Sequence, residues 1–101
     1  MAGSRKYYSE YVGHYVRFYL VYPGMTRFKS AADKRMYEAV DQVWEDMTDT
    51  EKDILKRLYL AKPSFAAEVD NVANETGIAA NSIWKMVFRF ESQIASLGDL
   101  V

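Results

Sequence analysis

Few residues in this sequence have the types and spacing that catalysis or metal binding requires. His14 is the only histidine and the chain has no cysteine, which excludes a histidine cluster, a thiolate nucleophile and a cysteine-ligated zinc. Asp41 and Glu45 lie one helical turn apart, but no third ligand converges on them by spacing, and a solvated acidic helix face explains them better. No glycine-rich phosphate loop is present either, so we expect no enzyme activity, no metal and no cofactor.

Length and composition limit the possible fold and cellular location of the protein. The chain has 101 residues, of which 50% are apolar and 15% aromatic, and this is enough for a single domain over residues 1–101 with a modest core. No apolar run approaches the roughly 20 residues of a membrane span, and the N-terminus lacks a secretory apolar segment. We therefore expect no membrane association and a cytoplasmic location.

The charges are unevenly distributed along the chain, although the net charge is only −1. Residues 1–35 carry seven Lys or Arg against two acids, residues 36–75 carry four against ten, and residues 76–101 carry two against two. The basic N-terminal third could reach phosphate while the acidic middle faces away. Ordinary solvated helix faces would carry the same charges, and the sequence leaves both interpretations open.

Residues 69–86 have the spacing of a helix-turn-helix. Ala73 lies four residues before Gly77, where two steeply crossing helices leave room only for a methyl group, and Gly77 can take the left-handed conformation that ends the first helix. Thr76 stands where such motifs usually have a larger apolar residue. The alternative is an ordinary pair of amphipathic helices joined by a glycine turn. The apolar contacts of the motif fall at Val69, Val72, Ile78, Ile83 and Met86.

Periodicity and capping signals predict an all-α domain of about five helices, with two to three packing helices before the C-terminal helix-turn-helix. Ser30 with Asp33 and Thr48 with Glu51 resemble capping boxes, and Pro63 forbids continuation of the third helix. The predicted helices cover 5–22, 30–47, 48–60, 67–76 and 80–97, Phe65 tucks back onto the core, and Gly98 ends the last helix. The expected buried positions are Tyr8, Tyr11, Val12, Tyr15, Val16, Tyr19, Leu20, Met36, Val40, Val43, Trp44, Met47, Ile54, Leu55, Leu58, Tyr59, Ile83, Val87, Phe90, Ile94 and Leu97.

The N-terminal helix, predicted over residues 5–22, is rich in tyrosine. Six tyrosines lie between residues 7 and 22, and their hydroxyls need partners or water. We therefore expect this helix to lie partly at the surface or at a subunit interface, and the protein to form a homodimer. An aromatic platform for stacking single-stranded bases is the alternative, but it requires basic residues along a groove, and core or interface packing is favoured.

The segment Met47-Thr-Asp-Thr-Glu-Lys-Asp-Ile-Leu-Lys-Arg-Leu-Tyr59 is a capped helix that ends in an apolar pair and a tyrosine, and a short loop then leads to the 69–86 motif. This pattern, over residues 47–97, resembles the C-terminal promoter-reading region (region 4) of sigma factors. A tyrosine-rich helix before it also looks like small late-gene transcriptional activators of phages and mobile elements. The resemblance implies a DNA-binding transcriptional regulator that takes double-stranded DNA as its partner and works as a dimer or beside RNA polymerase.

In sigma-like proteins the second helix of the motif, here about residues 80–97, enters the major groove. Asn81 could then pair with adenine, Lys85 could reach guanine or a phosphate, and Arg89 could contact the backbone. Two features depart from the family, because Ala79 replaces the usual hydroxyl cap and the face carries a single lysine. The DNA-binding residues that the resemblance implies are Asn81, Ser82, Trp84, Lys85, Phe88 and Arg89.

A second class of function stays open. Trp84 and Phe88 form an aromatic pair one turn apart, and an exposed pair of this kind is more typical of protein docking than of DNA binding. The chain would then be a protein-binding module or inhibitor of phage or mobile-element origin, with the helix-turn-helix as scaffold. Its contact surface would be Trp84, Phe88 and the tyrosine-rich helix, and its acidic helices could imitate a nucleic-acid backbone.

Overall fold

The computed structural model describes residues 6–62 and 64–100, which contain five α-helices and no strand. The helices are α1 (Ser9–Val21), α2 (Ala31–Glu45), α3 (Asp49–Tyr59), α4 (Phe65–Thr76) and α5 (Ala80–Leu97). α1 and α2 pack together and both lie on α5, while α4 packs between α3 and α5. The predicted all-α fold with about five helices is confirmed. Over the described residues, no helix combines the length and the apolar character needed to cross a bilayer.

Polar side chains cap the start of three helices. Thr48 and Glu51 form the predicted reciprocal capping box at α3. Ser30 caps α2 through the Asp33 N–H, but the Asp33 carboxylate accepts a hydrogen bond from Tyr15 instead of returning to Ser30, so only half of the predicted box forms. Ser64 caps α4, which therefore begins two residues earlier than predicted. Arg5, where the first helix was predicted to begin, and Pro63 lie outside the described residues.

Most positions that the periodicity assigns to the core are buried, and the exceptions lie at the edges of the helices' apolar stripes. Tyr11 is 44% exposed and Leu97 43% exposed, so both were wrongly assigned to the core. Tyr11 points away from the side of α1 that carries Val12, Val16 and Tyr19, and Leu97 lies in the last turn of α5. Three further predicted core residues are only half-buried: Leu20, Trp44 and Met47.

The end of α5 differs from the predicted glycine stop. Gly98 has a negative φ of −87°, and the positive φ of 61° belongs to Asp99. The Asp99 N–H donates to the Ser96 carbonyl at 3.2 Å and the Leu100 N–H to the Ala95 carbonyl at 2.8 Å, which is the pattern of a Schellman motif. A Cβ at Gly98 would overlap the sulfur of Met36, so a larger residue there would require the buried Met36 side chain to shift.

Tyrosine hydroxyls fasten α1 to α2. Tyr15 donates to Asp33 at 2.5 Å and Tyr19 donates to Asp41 at 2.6 Å, while both rings lie in the core. Two causes raise the pKa of Tyr15 and of Tyr19. The larger cause is burial of the phenols, and the next is their hydrogen bonds to the two aspartates. Part of the acidic face of α2 therefore accepts hydrogen bonds from the core tyrosines.

The turn between α4 and α5 has the predicted glycine geometry. Gly77 has φ 77°, and its N–H donates to the Ala73 carbonyl at 3.0 Å. The Thr76 hydroxyl donates to the Val72 carbonyl at 2.7 Å and accepts from the Ile78 N–H at 3.2 Å. Thr76 therefore stabilises the turn by hydrogen bonding, where an apolar residue would have stabilised it by packing.

Replacing Gly77 with Val should lower the free energy of unfolding by about 1 to 3 kcal/mol, because a β-branched residue is strained at positive φ. A Cβ at Gly77 would meet no atom within 4 Å, so the cost comes from the backbone alone. Gly77→Asn is the matched control and should lose clearly less, since asparagine tolerates this conformation. Urea denaturation measures both variants. Equal losses would contradict a conformational role for Gly77.

The free energy of unfolding should fall as the pH rises above about 10. Tyr15 and Tyr19 have raised pKa values in the folded chain, so the unfolded phenols ionise first and alkali favours unfolding. The stabilisation that the protonated Tyr15 and Tyr19 contribute is fully present below about pH 10. Urea denaturation between about pH 9 and about pH 11 should give a steeper fall for the parent than for the Tyr15→Phe, Tyr19→Phe double variant. Identical slopes would show that these phenols are not protected by folding.

Candidate nucleic-acid interface

α5 presents a row of polar side chains on the side opposite the core. Asn81, Lys85 and Arg89 are exposed and lie four residues apart, so they form one line along the helix, with Ser82 exposed beside its first turn. The buried side of α5 determines this orientation. It consists of Ile83, Val87, Phe90, Glu91, Ile94 and Ala95.

The N-terminus of α5 has no side-chain cap. Ala79 holds the cap position with an extended backbone, and its carbonyl accepts from the Ser82 and Ile83 N–H groups. The alanine side chain cannot accept a hydrogen bond, so the N–H groups of Ala80 and Asn81 stay open to water or to an anion. The first turn of the row around Asn81 and Ser82 is therefore compatible with a phosphate oxygen.

Trp84 and Phe88 are half-buried, whereas the protein-docking interpretation requires an exposed pair. Their rings stack with centroids 5.6 Å apart, and the Phe65 ring centroid lies 5.5 Å from that of Trp84. Phe65 in turn contacts Tyr59 edge to face at 5.1 Å, as expected for a residue that tucks back onto the core. The early start of α4 at Phe65 brings this ring against α5, so Trp84 has a structural contact that the sequence spacing does not reveal.

The charges around the row are few. Lys85 forms no ion pair with the described residues, and Arg89 lies 3.7 Å from Glu51 with its side chain 66% exposed. On the neighbouring helices, Arg57 of α3 bridges Glu68 and Glu75 of α4 at 2.8 and 2.5 Å. The hydrogen bonds that Arg57 donates to the carboxylates of Glu75 and Glu68 raise the pKa of Arg57. The Arg57 bridge neutralises part of the negative charge of α4. The polar row on α5 keeps one cation without an ion pair in the described residues, Lys85.

The acidic side chains do not assemble into a metal site in the part of the chain that the structure describes. No group of three histidine or acidic residues converges there. Asp41, considered above with Glu45, accepts the hydroxyl of Tyr19. Its position follows from packing of α1 on α2.

A groove beside α1 was not predicted from the sequence. It encloses about 680 Å³ between α1 and residues 25–29. The signal that could have revealed it is the pair of apolar residues Met25 and Phe28 in a connection that otherwise carries exposed cations. The residues that line it are His14, Tyr15, Phe18, Tyr22, Met25, Arg27, Phe28, Lys29 and Asp33.

No protein-family model, curated protein or solved structure matches this chain. The sigma-like resemblance therefore rests on the residues of the 47–97 segment themselves. Two of its local features, the capping box at Thr48 and the left-handed glycine at Gly77, have the expected geometry.

Trp84→Ala should lower the free energy of unfolding by about 1 to 3 kcal/mol, because the half-buried indole packs against Phe65 and Phe88. Lys85→Ala, one residue away and fully on the exposed row, is the matched control and should change stability by less than about 0.5 kcal/mol. Thermal and urea denaturation measure both variants. A Trp84 variant as stable as the parent would mean that this ring is available for binding without structural cost.

Proposed function

We propose that the protein binds duplex DNA through α5 and regulates transcription in a phage or mobile element. The observation that carries the proposal is the exposed row of Asn81, Lys85 and Arg89 on a helix that follows a three-residue, glycine-containing turn. A helix that enters the major groove needs this arrangement, since its outward side chains must be polar and free of the core. The sigma-like pattern of residues 47–97 supports the same assignment.

Each residue of the row has a distinct role in this proposal. Asn81 donates to and accepts from an adenine edge, and Ser82 and the uncapped first turn meet a phosphate. Lys85 reaches a guanine or a phosphate one turn further along. Arg89 exchanges its long contact with Glu51 for a backbone phosphate. Trp84 and Phe88 lie beside the row and add apolar contact to the sugar or to thymine methyl groups.

The low charge of the row limits the DNA affinity that a single copy can reach. Each phosphate contact contributes to affinity and to its salt dependence, and a face with one unpaired lysine makes few such contacts. A single copy therefore binds weakly. Two copies on adjacent half-sites, or one copy held beside RNA polymerase, would raise the affinity through effective concentration without new contacts.

Asn81→Ala should weaken binding to a preferred duplex by about 1 to 3 kcal/mol and relax specificity at one base pair. Lys85→Ala should weaken binding and, if it contacts phosphate, lower the slope of log affinity against log salt by about one. Ser92→Ala, exposed on α5 about three turns from Asn81, is the matched control and should bind like the parent. Fluorescence anisotropy over a salt series, with duplexes selected from the source genome, measures all three variants.

The second candidate function is a protein-binding module or inhibitor. The stacked pair of Trp84 and Phe88, although half-buried, lies beside a single unpaired lysine and favours it, because aromatic clusters dominate protein interfaces. Such binding would vary little with salt. The DNA proposal is wrong if an Asn81→Ala, Lys85→Ala double variant binds duplex as well as the parent while Phe88→Ala, folded by circular dichroism, no longer captures a protein partner.

A further inference from the structure

α1 carries a second aromatic stripe on the side that faces away from the core. Its members follow one another at intervals of four, three and four residues: Tyr7, Tyr11, His14 and Phe18. Tyr7 lies in the turn before α1 and is 82% exposed, Tyr11 is 44% exposed, His14 is exposed and Phe18 is half-buried. This spacing is that of a helix seam that packs against another helix. Phe18 at one end of the stripe contacts Tyr37 of α2, with ring centroids 5.9 Å apart, whereas Tyr7, Tyr11 and His14 are exposed.

Exposed apolar surface is concentrated around this stripe. Of the six large apolar side chains exposed in the described residues, four lie on α1 or next to its ends: Tyr7, Tyr11, Val21 and Tyr22. The Tyr7 hydroxyl donates to the Leu100 carbonyl at 2.8 Å, which holds its ring in place while leaving it exposed. Side chains that are fixed before binding lose less entropy on association, so this stripe is suited to a stable contact.

We propose that two copies of the chain pair through this stripe, with their α1 helices antiparallel. In this register Tyr7 of one copy packs against Phe18 of the other, and Tyr11 packs against His14. The contact is the same for both copies, which is the closed two-fold arrangement of most homodimers. The pairing does not depend on DNA binding, and it gives the expected tyrosine-helix interface a definite geometry.

Charge complementarity selects the antiparallel register. Glu10 and Arg17 are exposed on the same flank of the stripe, and neither forms an ion pair in the described residues. The antiparallel register places Glu10 of each copy beside Arg17 of the other, which gives two opposite-charge contacts. The Arg17 guanidinium is held on Tyr59 of the same chain, because its Nε donates to the Tyr59 carbonyl at 3.0 Å and its Cζ lies 5.8 Å from the centroid of that ring. The contact with Glu10 of the other copy would therefore use the remaining N–H groups of the guanidinium.

The groove beside α1 provides space for the ring of a second copy. Phe18 and His14 belong both to the stripe and to the wall of this groove of about 680 Å³. The register places Tyr7 of the second copy opposite Phe18, at the mouth of the groove. Met25 and Phe28 line its far side, and an apolar wall of this kind gains stability when an aromatic ring replaces water.

Cysteine cross-linking tests the register directly, because the chain contains no native cysteine. An equimolar mixture of Tyr7→Cys and Phe18→Cys chains should form a covalent heterodimer under mild oxidation, since these positions face each other and the second, symmetric Tyr7 and Phe18 contact stays intact. Neither variant alone should cross-link, because identical positions are separated by roughly 16 Å along the helix axis. Cross-linking of Tyr7→Cys alone, or none in the mixture, would overturn the proposal.

Sedimentation equilibrium provides an independent measurement. The parent should dimerise at micromolar concentration, and Tyr11→Lys should raise the dissociation constant at least about tenfold. Leu97→Lys is the matched control, since Leu97 is exposed to the same degree as Tyr11 but lies on α5 outside the stripe, and it should dimerise like the parent. A monomeric parent, or equal effects of the two substitutions in chains that remain folded by circular dichroism, would exclude this interface.

Discussion

The hydrogen-bonding requirement of buried tyrosine rings determines how the helices of this protein meet. A buried phenol contributes a large apolar surface, but its hydroxyl must find an acceptor. Tyr15 and Tyr19 of α1 find theirs on α2, and Tyr59 of α3 donates to the buried carboxylate of Glu91 on α5 at 2.5 Å. Each of these bonds joins two different helices, so the positions of α1, α3 and α5 depend on them. A carboxylate is costly to bury, and the Tyr59 bond helps to offset that cost.

The orientation of both candidate binding surfaces follows from this packing. With Phe90 and Glu91 held in the core, α5 must direct Asn81, Lys85 and Arg89 to solvent. With Tyr15 and Tyr19 held against α2, α1 must direct its second aromatic stripe outward. One face therefore serves duplex DNA and the other a second copy in our proposals, and neither requires the core to rearrange. Weak phosphate contact by one copy and self-association by α1 are complementary, since in a dimer the second recognition helix binds at a high effective concentration once the first has bound.

Features governed by neighbouring residues could be predicted from the sequence, and features governed by distant contacts could not. The capping box at Thr48 and the left-handed Gly77 depend on a few consecutive residues, and the structure has both where they were predicted. The sequence does not reveal that Asp33 turns to Tyr15, because the two residues are 18 positions apart. For the same reason the contact of Phe65 with Trp84 and the groove beside α1 were not predicted. Tyr11 was wrongly assigned to the core because α1 has apolar residues on two sides, and periodicity alone cannot tell which side is covered.

The most direct test of the DNA-binding proposal is a titration of the isotope-labelled protein with duplex DNA, followed through its backbone amide NMR signals. We expect the largest shifts at Asn81, Ser82, Lys85 and Arg89, since the exposed row and first turn of α5 meet the groove and its phosphates. The buried side of α5 should respond little. Shifts confined to the aromatic stripe of α1, or the absence of any shift at low salt where phosphate contacts are strongest, would contradict the proposal.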